Sequence, residues 1–245
     1  MSGVYVIAAN WPFDTLSLAG KLSWMLKLGD DYAHLGILFE APTAEEWALL
    51  EQRQSRVWRA SEPFPSRPPP RITWDVIVKT WRPHFQSHPG QYYKDAKPQL
   101  HAMWALQIDA AERATLFYYC VKLSEEAPAQ NLCVRFDTFF GCLPWRCCYA
   151  ECCTGTGAGP STCVSLVLRA IAMLRDDDAQ YSDEATFRAL GIVRYECCAP
   201  SPVTHFTPRQ ALLALDEAGW IRMEHPLLLG VPSPRVPLLA ITDNS

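Results

Sequence analysis

The sequence predicts an α+β fold in which a small antiparallel sheet packs against helices. Three observations point there. Residues 4–8, 32–39 and 72–78 are short, apolar and rich in strand-forming side chains. Helix starts are marked chemically, by Asp109-Ala110-Ala111-Glu112 and by Thr207-Pro208-Arg209-Gln210. The chain has 245 residues, of which 49% are hydrophobic and 20% charged, enough for a packed core in a single domain over 1–245.

Taken in order, residues 4–8 read as a first strand. Asp14-Thr15 caps a helix that carries Leu18, Leu22, Met25 and Leu26 on one side and closes at Gly29. Tyr32-Ala33-His34-Leu35-Gly36-Ile37-Leu38-Phe39 reads as a buried strand with a histidine near its start. Residues 44–52 suit a helix, and 56–60 a partner strand. The run 63–70 holds five prolines and excludes helix and central strand, so it is an extended surface connection. Ile72, Trp74, Val76 and Val78 alternate with Thr73, Asp75 and Lys79, which predicts a strand with one wet face. Residues 81–97 are rich in turn formers, and His84 and His88 there read as surface histidines.

The capping-box spacing at Asp109 predicts a helix to about residue 125, burying Leu116, Phe117, Cys120 and Val121. Another helix is expected over 183–190. Thr207 and Pro208 open one that buries Leu212, Leu213 and Leu215 and ends at Gly219. The tail to Ser245 is proline-rich and suits a surface wrap.

The chemistry concentrates at Pro160-Ser161-Thr162-Cys163-Val164-Ser165. Ser161 or Thr162 suits a helix cap, and Val164, Val167, Leu168, Ile171 and Leu174 recur at helical spacing. Cys163 falls in the first turn, where the helix dipole favours a thiolate over a thiol. A cysteine in an apolar helix is by default a small core residue, so the position needs a base to become a nucleophile. The loop Thr154-Gly155-Thr156-Gly157-Ala158-Gly159 lacks the lysine of a phosphate-binding loop and reads as a flexible entry to the helix.

Composition excludes several classes. The net charge is −4 with no basic run, so nothing suggests nucleic-acid binding or an anionic membrane surface. No apolar stretch approaches the ~20 residues of a membrane span. The N-terminus lacks the basic region of a signal peptide, so an intracellular, cytoplasmic setting is expected. Ten cysteines are then most simply reduced thiols, with a virion as the oxidised alternative. Five of them crowd into Cys142-x4-Cys147-Cys148-x3-Cys152-Cys153, and Cys197-Cys198 form a further pair. Adjacent pairs fit one tetrahedral zinc poorly, so no metal or other cofactor is expected; a zinc-binding module, which needs four of the paired cysteines to converge, is the remaining alternative.

A helix, a short turn and then aromatic-x-His-x-Gly-Ile, here 16–28 followed by Tyr32 to Ile37, resembles the start of the circularly permuted NlpC/P60-type papain-like proteins. That group includes YiiX-like proteins, a lecithin:retinol acyltransferase-like branch and a poxvirus member. Ser161-Thr162-Cys163-Val164-Ser165-Leu166-Val167 matches its later Ser/Thr-x-Cys-Ser-x-x-Val nucleophile segment. The helices at Asp109 and at Thr207-Pro208-x-x-Ala-Leu occupy corresponding places. The resemblance implies a permuted papain-like fold, with Cys163 as nucleophile and His34 as base and then acid. It also implies a peptide or lipid substrate with an amide or ester bond. The group places a third polar residue on the strand after the histidine strand. The corresponding Trp58-Arg59-Ala60-Ser61-Glu62 has an arginine there, leaving Glu62, Glu40 or no residue for the role. The cysteine-rich insertion at 136–159 lies beside the implied site, as a lid or a surface for protein partners. The other reading of the same scaffold is an inactive structural or interaction protein, for instance of a viral particle, with nine tryptophans available as contact anchors.

Overall fold

The computed structural model describes residues 2–10, 32–76, 83–87, 100–126, 163–192, 206–224 and 226–229. Strands β1 (Val4–Asn10), β2 (Tyr32–Glu40), β3 (Arg71–Val76), β4 (Pro83–Gln86), β5 (Leu100–Ala105) and β6 (Leu227–Leu229) form one sheet. Their spatial order is β4-β3-β2-β1-β5-β6, and every neighbouring pair is antiparallel. The α-helices are α1 (Ala44–Val57), α2 (Ala110–Glu126), α3 (Cys163–Ala172), α4 (Asp183–Leu190) and α5 (Pro208–Glu217). The α+β class and the small antiparallel sheet are therefore as expected.

Strand alternation divides the sheet into two chemistries. Val4, Val6, Ala8, Leu35, Ile37, Phe39, Ile72 and Trp74 belong to the main core with the helices. On the same side, the Phe117 ring of α2 packs against Phe39 at 5.0 Å and against Phe85 at 5.1 Å. Trp74 Nε1 donates to Ser124 Oγ at 2.9 Å, which satisfies a buried indole. Tyr5, Ile7, Leu38 and Met103 form a separate, smaller cluster on the opposite face. The histidine of β2 belongs, by alternation, with this second face.

The helix caps follow from the sequence. Asp109 Oδ1 accepts from the Glu112 amide, and Glu112 Oε2 accepts from the Asp109 amide. Thr207 and Gln210 close the same reciprocal pair at α5. Thr43 and Glu46 do so at α1, where Glu46 has a second task. Its carboxylate receives Arg113 of α2 through Nε and Nη2, both at 2.8 Å. Arg113 also donates to the carbonyls of Ser2 and Glu40, so one guanidinium ties β1, β2, α1 and α2 together.

Several expectations are corrected. Residues 56–60 are not a strand. Trp47, Leu50 and Val57 keep a helical rhythm of buried positions, so α1 runs on to Val57, and Trp58 makes only an isolated parallel bridge to Phe85. The turn-rich segment contains β4, with Pro83 as its first residue on the sheet edge, where a missing amide does no harm. His84 is thus a strand residue, while His88 lies outside the described residues. No alternating pattern marks strand β5 in the sequence. Thr73 and Asp75, expected on a wet face, are buried. Leu213 is exposed, and Leu212 and Leu215 carry the burial of α5. The helix at 16–28, the insertion at 136–159 and the tail beyond 229 lie outside the described residues.

The Arg113–Glu46 pair is nearly enclosed, with side chains 11% and 4% exposed. Arg113→Ala strands a buried carboxylate, and should cost about 3–5 kcal/mol in urea unfolding. A loss below about 1 kcal/mol, the range of surface pairs, would contradict this role.

Candidate active site

Cys163 is the first residue of α3, and this helix packs on β2 and β3. Its apolar stripe, Val164, Val167, Leu168 and Ile171, is buried as the spacing predicts. That burial fixes the helix tip against the sheet. The expected caps, Ser161 and Thr162, lie outside the described residues. His34 sits near the start of β2, opposite Ala9, where the β1–β2 register shifts between Ala9 and Asn10. Such irregularities bend a strand locally and re-aim the side chains beside them. The structure brings the two together: the Cys163 side chain hydrogen-bonds the His34 imidazole. Neither Cys163 nor Cys120 is part of a disulfide, and the thiol of Cys163 is partly exposed while Cys120 is buried.

A second group beside the imidazole is Asp75. Its Oδ2 lies 3.8 Å from His34 Nε2. Asp75 is in register with Gly36, two residues beyond His34 and therefore on the same face. A Cβ at position 36 would lie 3.0 Å from Asp75 Cβ and 3.1 Å from the Trp74 carbonyl oxygen. Glycine is what lets the carboxylate lie this close to β2. The His-x-Gly spacing thus has a steric meaning: the histidine supplies the imidazole and the glycine makes room for its partner.

Glu62 and Glu40 do other work. Glu62 Oε1 accepts from the amide and hydroxyl of Ser87. Glu40 pairs with Arg71 at 2.8 Å and accepts from the Tyr5 hydroxyl. Of the carboxylates, the one beside His34 is Asp75, on a strand position that alternation assigns to the wet face. A signal was present in the sequence. A carboxylate between Trp74 and Val76 in an apolar strand is costly unless something pairs with it.

The electrostatics of the cluster favour a charged imidazole. Burial pulls the His34 pKa down, because desolvation penalises the cation. Cys163, first, and the Asp75 carboxylate beside the ring act the other way and prevail, lifting the pKa to about 10. Among the described residues no group of three or more His, Cys, Asp or Glu side chains could hold a metal ion. Nor is any helix there long and apolar enough to cross a membrane. No family model matches the chain, and comparison with curated proteins and with solved structures likewise finds no match.

Two outcomes follow from this geometry. Gly36→Ala should destabilise the fold by about 1–3 kcal/mol, because the new methyl meets backbone that cannot move aside. The His34 ring signal, followed by NMR, should titrate at about 10 in the native protein. It should titrate at lower pH in Asp75→Asn, which removes a charge that favours the cation. A native His34 titrating near its ordinary 6.5 would contradict the cluster.

Proposed function

We propose that the protein is a cysteine-dependent hydrolase or acyltransferase of the circularly permuted papain-like type, acting on an amide or ester bond in a peptide or lipid. The observation that carries the reading is the hydrogen-bonded contact between Cys163 and His34, 129 positions apart (163 − 34) in the sequence, at the tip of a buried helix. A nucleophilic thiol needs a base within reach and a group that holds the base in orientation. Cys163, His34 and Asp75 have those relations.

In the proposed cycle the Cys163 thiolate attacks the carbonyl carbon and forms a C–S bond. The amides at the N-terminus of α3 are suited to stabilise the resulting oxyanion. Collapse breaks the C–N or C–O bond, and His34 gives its proton to the departing amine or alcohol. Water or an acceptor alcohol or amine then attacks the thioester. His34 takes the proton, and the product leaves as the thiolate is restored. Asp75 stabilises the imidazolium and fixes the ring.

The test is labelling with an electrophilic thiol probe that mimics an acyl substrate, located by peptide mass spectrometry. The native protein should label at Cys163, and Cys163→Ala should abolish that adduct. His34→Ala should slow labelling by about 10²–10⁴-fold, the usual contribution of a positioned acid–base group. Equal labelling of the native and His34→Ala proteins would overturn the reading and favour an inactive interaction scaffold.

A further inference from the structure

Behind Asp75 the polar contacts continue outward across the sheet. Gln86 of β4 is 1% exposed, and its Nε2 donates to both Asp75 oxygens at 3.0 Å. Its Oε1 accepts from Arg59 Nη1 at 2.7 Å. Arg59 lies just beyond α1, and its own amide donates to the Phe85 carbonyl at 2.9 Å. Its Nε donates to Ser61 Oγ at 2.8 Å. The arginine sits where the resemblance implies an acid.

The chemistry of the two ends sets the direction of this chain. A guanidinium only donates, and an ionised carboxylate only accepts. A primary amide between them satisfies both in one orientation alone, with oxygen toward Arg59 and NH2 toward Asp75. We infer that Gln86, oriented by Arg59, is a positioning residue that holds the Asp75 carboxylate against His34. This inference rests on the proposed thiol chemistry for its purpose, but its geometry stands on the Asp75, Gln86 and Arg59 contacts.

Among the described residues, the neighbouring elements bring the following groups to the pair. Helix α3 brings Cys163. Strand β4 brings His84, in register with Asp75, as well as Gln86. Strand β1 brings Ile7 and Ala9, in register with Gly36 and His34. Arg59 adds a positive charge one amide away from the carboxylate. Removing Gln86 takes away both of its hydrogen bonds to the carboxylate and with them a restraint on its orientation toward the ring.

The experiment reads His34 by NMR across pH in the full-length protein, with circular dichroism and thermal melting recorded alongside. In Gln86→Leu, His34 should lose its proton about one unit lower in pH than in the native protein, the size of shift a displaced neighbouring charge produces. Arg59→Met should move it in the same direction, and Arg59→Lys, which can still donate to the amide oxygen, should return it toward the native value. A native-like His34 titration in folded Gln86→Leu would overturn the inference. Should Gln86→Leu fail to fold, the half-buried Arg59 decides, since Arg59→Met with an unmoved titration overturns it equally. Alkylation of Cys163 by iodoacetamide, followed on its own peptide, separates the two proposals. A thiol inert at neutral pH in the native protein defeats the hydrolase reading while leaving the His34 shift to judge Gln86.

Discussion

A carboxylate buried inside a β-sheet constrains everything around it. Asp75 is 2% exposed, and an unpaired charge at such a depth would be costly in free energy. The surrounding structure supplies what it needs: an imidazolium on β2, an amide on β4, and space left by the missing side chain at Gly36. The dependence is mutual. His34 is itself nearly buried, and desolvation alone would leave it neutral. Cys163 and Asp75 beside it favour the charged form. Two buried polar groups that would each be unfavourable alone, Asp75 and His34, are tolerable together.

The scaffold around this cluster explains why the set can be held in place. Helix α3 has an apolar stripe that locks it on β2 and β3, so Cys163 at its first position has little freedom relative to His34. Arg113 fastens α1 and α2 to the opposite end of β1 and β2 through Glu46 and the carbonyls of Ser2 and Glu40. Gly3, at φ +66°, leaves room for that guanidinium, because a Cβ there would lie 3.1 Å from Arg113 Nη1. The chemistry at one end of the strands and the clamp at the other thus share the same two central strands.

The parts legible in the sequence were those written in local patterns. Asp109 with Glu112 and Thr207 with Gln210 announce their helices within four residues. The stripe from Val164 to Ile171 announces a buried helix, and the apolar run around His34 a buried strand. Asp75 was harder. Alternation correctly sets it opposite Trp74, but whether that second face is wet depends on what covers it, which is a long-range matter. The same limit hid β4 and β5. Pro83-His84-Phe85-Gln86 has a proline and two polar residues in four, and becomes a strand only because β3 offers an edge to pair with. Glu62 corresponds only by position along the chain, whereas the carboxylate beside His34 is set by register across the sheet.

The central claim is that Cys163 and His34 exist as a thiolate–imidazolium pair. The most direct measurement is the ultraviolet absorbance of thiolate in the native protein minus that of Cys163→Ser, followed with pH. Ordinary cysteines titrate near about 8.5, so at neutral pH the other thiols contribute little and cancel in the difference. The account predicts absorbance of one thiolate at pH ~7, lost in Cys163→Ser and greatly reduced in His34→Ala. A difference signal that rises only with the ordinary thiol range, and is unchanged by His34→Ala, would contradict it.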